Sequence, residues 1–438
     1  MSIPSLAALL TKFQALGAQR VLCKRLAEND NSKQQVYLGH GFDALNLVPF
    51  GAVQSDSSKK QPIMKAALPL SWLDDSGKIA SAPGAQLVLY PQYPEVRMSG
   101  FLRGCATAPN ELMRPVPKAS RRFNNGSDGR LLFLAILSSR EIVGYLAPAH
   151  SAIAGDFDER DRRKPFAAAG VFLDVPLAKF GDARALLLDR LRQIHAVGWH
   201  PSCRLHADGT RHAYVARNGG GYTLEALFDI IPNGRAEPDF HGWELKACGS
   251  DRVTLMTPEP DSGYYGSKGV EAFVRRYGHV ADGDTLYFTG MHRAGVACTS
   301  TGQKLTVRGF DASTAKIVDV DGGIYLVGEG GEDSAGWSFR RLLEHWGRKH
   351  ASAAYVPYEV RDSGGPEYHY TSPAMLGEGT SFERFLKALA SGLVVYDPGP
   401  KVMAASTAKP KTKARSQFRI GRKNLGELYV RFTAEPID

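Results

Sequence analysis

Asp239, Glu244 and Lys246 stand close together in the run Glu237-Pro238-Asp239-Phe240-His241-Gly242-Trp243-Glu244-Leu245-Lys246. Two carboxylates converging across a short turn offer hard oxygen donors to a divalent cation, and a nearby ammonium can orient an attacking water. Hydrolysis of a phosphodiester needs those parts. Asp239 and Glu244 are therefore the candidate metal ligands. Mg²⁺ is the expected ion, with Mn²⁺ as a substitute, because Mg²⁺ keeps several waters and also takes a phosphate oxygen. Lys246 follows Glu244 at the spacing that puts both side chains on one face of a strand. Its ammonium would position the water and offset charge developing on the phosphate. Glu225 would complete the acidic cluster, directly or through a water. Glu-x-Lys alone occurs by chance in most proteins and equally describes an ordinary ion pair on a surface hairpin, so it gains weight only from context.

That context is the set of elements around it. Gly219-Gly220-Gly221 precedes Tyr222-Thr223-Leu224-Glu225-Ala226-Leu227-Phe228. Thr223 is the expected N-cap, and Leu224, Leu227 and Phe228 make the buried stripe of a short helix bearing Glu225. Asp239 and residues 243–247 read as adjacent strands, with 253–256 as another. A helix over 269–277, a strand over 285–289, strands at 304–308, 316–320 and 324–327, and a helix over 337–349 follow. Residues 401–423 begin rich in Lys, Ala, Ser and Thr and become strand-like at 417–420. The order helix, three strands, helix, strand fits the core of the PD-(D/E)XK nuclease fold, an α/β (α+β) arrangement with a mixed sheet flanked by helices.

Composition agrees with a folded, polyanion-binding chain. The 438 residues suffice for two or three domains at roughly 150 residues each. At 43% hydrophobic they can bury sizeable cores, which excludes a disordered chain. The formal charge of +9 is compatible with DNA as a partner, although a merely basic protein would show it too. The five cysteines are scattered, odd in number and lack a C-x-x-C pair, which argues for a reducing compartment. No apolar run is long enough to span a bilayer, and Leu6, Leu9, Leu10, Phe13 and Leu16 recur at helical spacing without a basic leader before them. The expected location is the cytoplasm, with no membrane partner.

Residues 1–175 read as an additional N-terminal α+β domain, and 176–438 as the nuclease domain. Strands are expected at 86–90 and 131–137. A basic loop at 118–130, including Arg121 and Arg122, either touches phosphate or is only solvated. The charge run 156–164 reads as a surface connection, and Ala183–Val197 as a helix with Leu186, Leu187, Leu188, Leu191 and Ile194 on its apolar side. His200, Cys203, His206 and His212 superficially suggest zinc, but their spacing matches no standard finger. The acidic, glycine-rich stretch 328–332 is unsuited to phosphate and reads as a loop.

Three segments carry a family resemblance: Gly219-Gly220-Gly221-Tyr222-Thr223-Leu224-Glu225; Pro238-Asp239-Phe240 with Gly242-Trp243-Glu244-Leu245-Lys246; and Leu255-Met256-Thr257-Pro258-Glu259-Pro260. In order and spacing they resemble the MvaI/BcnI restriction endonucleases, which are related to the mismatch-repair nicking enzyme MutH. The resemblance covers the chain from about residue 199 onward. It implies Mg²⁺-dependent cleavage of double-stranded DNA by a monomer with one active site, nicking one strand at a time. Asp239, Glu244 and Lys246 match the core triad, and Glu225 the helix glutamate. A type II-like restriction or defence nuclease follows, with a cognate methyltransferase or other defence proteins as further partners and the N-terminal domain adding recognition of sequence or modification.

Candidate DNA contacts are Lys268, near a helix start, and His292 and Arg293, after a strand. Arginine can pair bidentately with guanine, and histidine can read a base edge. Arg415 and Arg419 lie on a terminal strand that resembles one in the family. Lys409, Lys411 and Lys413 before them bind phosphate nonspecifically or nothing. Two other readings stay open: a MutH-like repair nickase, and a DNA-binding module whose nuclease fold is only a scaffold. The intact Asp239, Glu244 and Lys246 set argues against the second.

Overall fold

The computed structural model describes residues 3–27, 35–58, 61–113, 116–120, 127–177, 183–216, 218–232, 239–347 and 352–438. The chain forms two compact units. One comprises residues 1–54, 64–190 and 240–242; the other comprises 55–63, 191–239 and 243–438.

The first unit is built on a seven-stranded sheet in which Ala18–Ala27 and Ser127–Leu137 are central antiparallel neighbours. A second sheet contains Gln35–His40, Glu95–Ser99 and Gln86–Tyr90. Helix Leu6–Ala15 starts at Ser5, whose hydroxyl accepts from the Ala8 N–H, and buries Leu6, Leu9, Leu10 and Phe13. These side chains join Val21, Phe133, Ala135 and Tyr145 in one core, each large residue contributing about 1.5–3 kcal/mol through burial. The charge run 156–164 is not a surface connection. Most of it forms the last turns of helix Ala152–Arg163, held down by Ile153, Ala154, Phe157 and Asp158. Phe157 packs edge-on against Phe133, and Asp158 receives the Arg25 guanidinium at 2.6 Å. Apolar residues at helical period outweigh the charges between them. In the basic loop, Lys118–Ser120 is a short 3-10 turn, while residues 121–126 lie outside the described residues.

The second unit centres on strand Ser352–Asp362. Its first half runs parallel to Glu244–Cys248, with Glu244 opposite Ala353 and Lys246 opposite Tyr355. On the other side it pairs antiparallel with Ala374–Glu378, which in turn pairs with Arg431–Glu435. Its second half pairs antiparallel with Pro366–Tyr370. The expected mixed α+β sheet is therefore present, and helix Gly219–Leu227 packs against Glu244–Cys248. Helix Ala183–Val197 has the expected bounds. It buries Leu187, Leu188, Leu191 and Ile194, but leaves Leu186 37% exposed.

Several elements differ from the sequence reading. Gly219-Gly220-Gly221 is helical, so Thr223 is an interior residue and not the cap. Its buried hydroxyl bonds the Cys203 main chain instead, accepting from N at 3.0 Å and donating to O at 3.3 Å. The glycines serve close packing: a Cβ on Gly220 would lie 2.7 Å from Cζ of the Tyr358 ring. Residues 333–338 continue the β section, so the helix expected from 337 is Phe339–Trp346, begun by Ser338. Trp337 lies on that strand, packed on Tyr396 and Phe418, with its Nε1–H donated to the Pro258 carbonyl at 2.9 Å. The strand expected at 316–320 is only Lys316–Ile317.

Gly220→Ala is expected to lower stability by about 1–3 kcal/mol through overpacking against Tyr358. Adding Tyr358→Ala should return part of that loss in urea denaturation of the full chain. Simple additivity of the two changes would rule out this contact.

Candidate active site

Asp239 does not sit on a strand. It lies in a bend, and His241 and Gly242, two and three residues further on, both have positive φ, 46° and 90°. Such backbone is open to glycine and tolerated by few others. The tight turn folds Asp239 back so that its Oδ2 accepts from the Leu245 N–H at 2.8 Å. Glu237 and Pro238, the start of the sequence motif, lie outside the described residues.

Glu244 opens its strand and is 3% exposed. Its Oε1 receives the Lys246 Nζ at 2.6 Å. Both side chains point to one face, as their spacing requires. Helix Gly219–Leu227 carries Glu225 towards the same place, because Glu225 adds to the negative field at Asp239. The structure therefore brings Asp239, Glu244 and Lys246 together, with Glu225 close enough for its charge to act on Asp239.

The electrostatics are those of crowded carboxylates. Burial, then the neighbouring charge of Glu244, raises the Asp239 pKa to about 7, while the Leu245 N–H and Lys246 pull the other way. Burial works to lower the Lys246 pKa, but the Glu244 carboxylate outweighs it and the net shift is upward. Lys246 thus stays an ammonium. The donor set is hard oxygen, which suits Mg²⁺. Among the described residues no group of three or more His, Cys, Asp or Glu side chains is arranged to hold an ion. The fit is to a cation that takes one or two carboxylates and keeps its waters, and not to a closed protein cage.

Sequence reasoning missed the Leu245 N–H, which has no side-chain signature, and Tyr355. The Tyr355 hydroxyl shares a 2.7 Å hydrogen bond with that of Tyr429. Burial and then Tyr429 push its pKa up, with a further contribution from Glu244, so it lies within the field of the site. Only the strand register could have revealed it.

The candidate DNA contacts separate into two groups. Lys268, Arg293 and Arg415 are exposed. Lys268 precedes a kink at Gly269 inside helix Gly263–Tyr277, which begins earlier than the sequence suggested. Arg419 lies on strand Phe418–Gly421, but its guanidinium is engaged by Asp397 at 2.7 Å. His292 must be corrected: it is 0% exposed. Its ring stacks on Phe288, and its Nε2 meets the Thr301 hydroxyl at 2.9 Å. Burial lowers its pKa to about 4. It fills a core and offers no edge to a groove. His206 and His212 stack on a hairpin, and His200 bonds the Ile194 carbonyl.

A fold with a mixed sheet and a carboxylate–lysine site on its parallel strand places the chain among restriction-endonuclease-like proteins. The family model of the MvaI/BcnI restriction endonuclease family matches residues 188–429, more than half of the chain. The chain belongs to that family and is an endodeoxyribonuclease. Among solved structures, it is similar to the restriction endonuclease MvaI in complex with its cognate DNA substrate. That likeness is at 19% identity and a TM-score of 0.45, covering 58% of this chain and 98% of that one. MvaI without DNA is similar at 16% identity and a TM-score of 0.32, over the same shares. The B3 domain of the UbaLAI restriction endonuclease, with cognate DNA, is similar at 16% identity and a TM-score of 0.22, covering 38% of this chain and 94% of that one. No curated protein matches. Among the described residues no helix is long and apolar enough to cross a membrane.

The raised Asp239 pKa has a measurable effect on the metal-free protein. An unfolded aspartate loses its proton near pH 4, whereas the folded site retains it up to about 7. The folded state binds the extra proton between those values, so stability falls as pH rises from about 4 to about 7. Asp239→Asn keeps an acceptor for Leu245 and removes the titration. It should melt several °C above the parent at pH 8 in EDTA, with the gap closing as pH falls towards 4. A gap independent of pH would contradict the assignment.

Proposed function

We propose that the chain is a Mg²⁺-dependent endonuclease hydrolysing phosphodiester bonds of double-stranded DNA, of the type II-like restriction or defence kind. The observation that carries this is the convergence of Asp239, Glu244 and Lys246 at the turn before the parallel strand. Asp239 and Glu244 are the metal ligands in this reading, and Glu225 adds negative charge from the adjoining helix. When bound, Mg²⁺ supplies Lewis acidity to the scissile phosphate and a water of lowered pKa. Lys246 orients that water and offsets charge on the phosphate oxygens. The hydrogen bond it makes to Glu244 fixes its ammonium at the site.

Lys268, Arg293 and Arg415, all exposed, fit contacts to the DNA. Arg419 is held by Asp397 and fits a role in placing its strand better than one in reading bases. Residues 1–175 are assigned to recognition of DNA sequence or modification, on the strength of their size and basic sequence loop.

Lys246→Ala and Asp239→Ala should each reduce plasmid cleavage in Mg²⁺ by about 10²–10³-fold, the range lost with charge-stabilising groups elsewhere. Both should still retard duplex DNA in a gel shift with Ca²⁺. Equal loss of cleavage and binding would make these residues structural and overturn the assignment.

A further inference from the structure

Strand Lys411–Lys413 is the outer member of a four-stranded sheet ordered His279–Asp282, Thr285–Tyr287, Lys401–Met403, Lys411–Lys413. Its register sets Lys413 opposite Lys401, Thr412 opposite Val402 and Lys411 opposite Met403. Directly opposed residues share a face. Val402 is fully buried, so its face turns inward, and Lys401, Lys411 and Lys413 occupy the other.

Like charges directly opposite one another weaken a sheet. Here the sequence keeps such a pair, and no carboxylate among the described residues forms an ion pair with Lys411 or Lys413. Lys401 is held back by Tyr287, with its Nζ 3.3 Å from the hydroxyl and 5.3 Å from the ring centroid. Asp284, the acid at the base of the hairpin, is occupied by the Ser406 N–H and hydroxyl at 2.9 and 2.8 Å. Arg415 continues the alternation, exposed, with its guanidinium on the Gln417 amide oxygen at 3.1 Å. Alternate residues of an extended chain stand about 7 Å apart, close to the separation of successive phosphates along one DNA strand.

We infer that this sheet edge is a DNA-backbone rail, on which Lys411, Lys413 and Arg415 follow consecutive phosphates of one strand. The inference rests on the reading of the chain as a DNA-cleaving enzyme and extends it to a named surface. An anion seated between Lys401 and Lys413 turns their mutual repulsion into shared attraction. Lysines on a sheet edge also block strand-to-strand association, and that simpler role needs neither the opposed pair nor the regular spacing.

The test uses the full chain with Ca²⁺ in place of Mg²⁺. Binding to a 30-bp duplex is followed by fluorescence anisotropy across NaCl concentrations. Lys411→Gln/Lys413→Gln should raise Kd about 10-fold or more at 100 mM NaCl. It should also flatten the slope of log K against log[NaCl] by about 1.8, the value for two lost phosphate contacts. Lys411→Arg/Lys413→Arg should keep both close to the parent. Independently of any variant, a duplex with three neutral methylphosphonates in succession should flatten the slope with the parent protein at one register, by about 2.7 for three lost contacts. An unchanged slope for the Gln variant, or for every methylphosphonate register, while the parent still cuts plasmid in Mg²⁺, overturns the rail and leaves the nuclease reading standing. A parent that neither cuts nor binds DNA overturns both.

Discussion

The site depends on one hydrogen bond that closes a turn. Asp239 reaches over His241 and Gly242 to accept from the Leu245 N–H. That bond fixes a carboxylate beside the buried Glu244 at the start of the parallel strand. Burial and then the like charge of Glu244 are both unfavourable to a second carboxylate there, and the rise in the Asp239 pKa records the cost. Lys246 offsets part of it from the same strand face. What remains is a concentration of negative field for which a divalent cation is the natural complement, since it reverses the sign of every local interaction.

The surroundings keep that turn in place. Helix Gly219–Leu227 approaches closely because its first turn is glycine, and the Tyr370 hydroxyl donates to the Gly220 carbonyl at 2.7 Å. On the neighbouring strand, Tyr355, directly opposite Lys246, shares a hydrogen bond with Tyr429 in the core. The strand is thus held between helix Gly219–Leu227 and the paired strand Ser352–Asp362, with Glu244 at its leading end. Rigid elements place reacting groups more accurately than loops do.

Much of this was legible in the sequence where side-chain period alone decides. Helix Ala183–Val197 and strand Gln86–Tyr90 were readable because their apolar spacing is unambiguous. Asp239, Glu244 and Lys246 could be singled out because two carboxylates and a lysine at that spacing beside an apolar strand are an uncommon combination, and the structure places them side by side. The Asp239 segment was misread as a strand because nothing in the residue types announces a positive φ at His241. Thr223 was misread as a cap because three glycines normally interrupt a helix, and only the Tyr358 ring reveals why they are needed here. His292 was misplaced for a related reason: a histidine after a strand looks exposed until Phe288 and Tyr396 close over it.

The parallel pairing of Glu244–Cys248 with the strand through Pro357 bears on how the enzyme matures. Parallel neighbours require a long crossover between them, here all the chain from 249 to 351. During synthesis the carboxylate strand therefore emerges well before the strand that seats it. A nascent chain halted between the two has its acidic residues but not the strand beside which they are held. The order of assembly is thus written into the topology: the pocket cannot close before the strand that begins at Ser352 has been made.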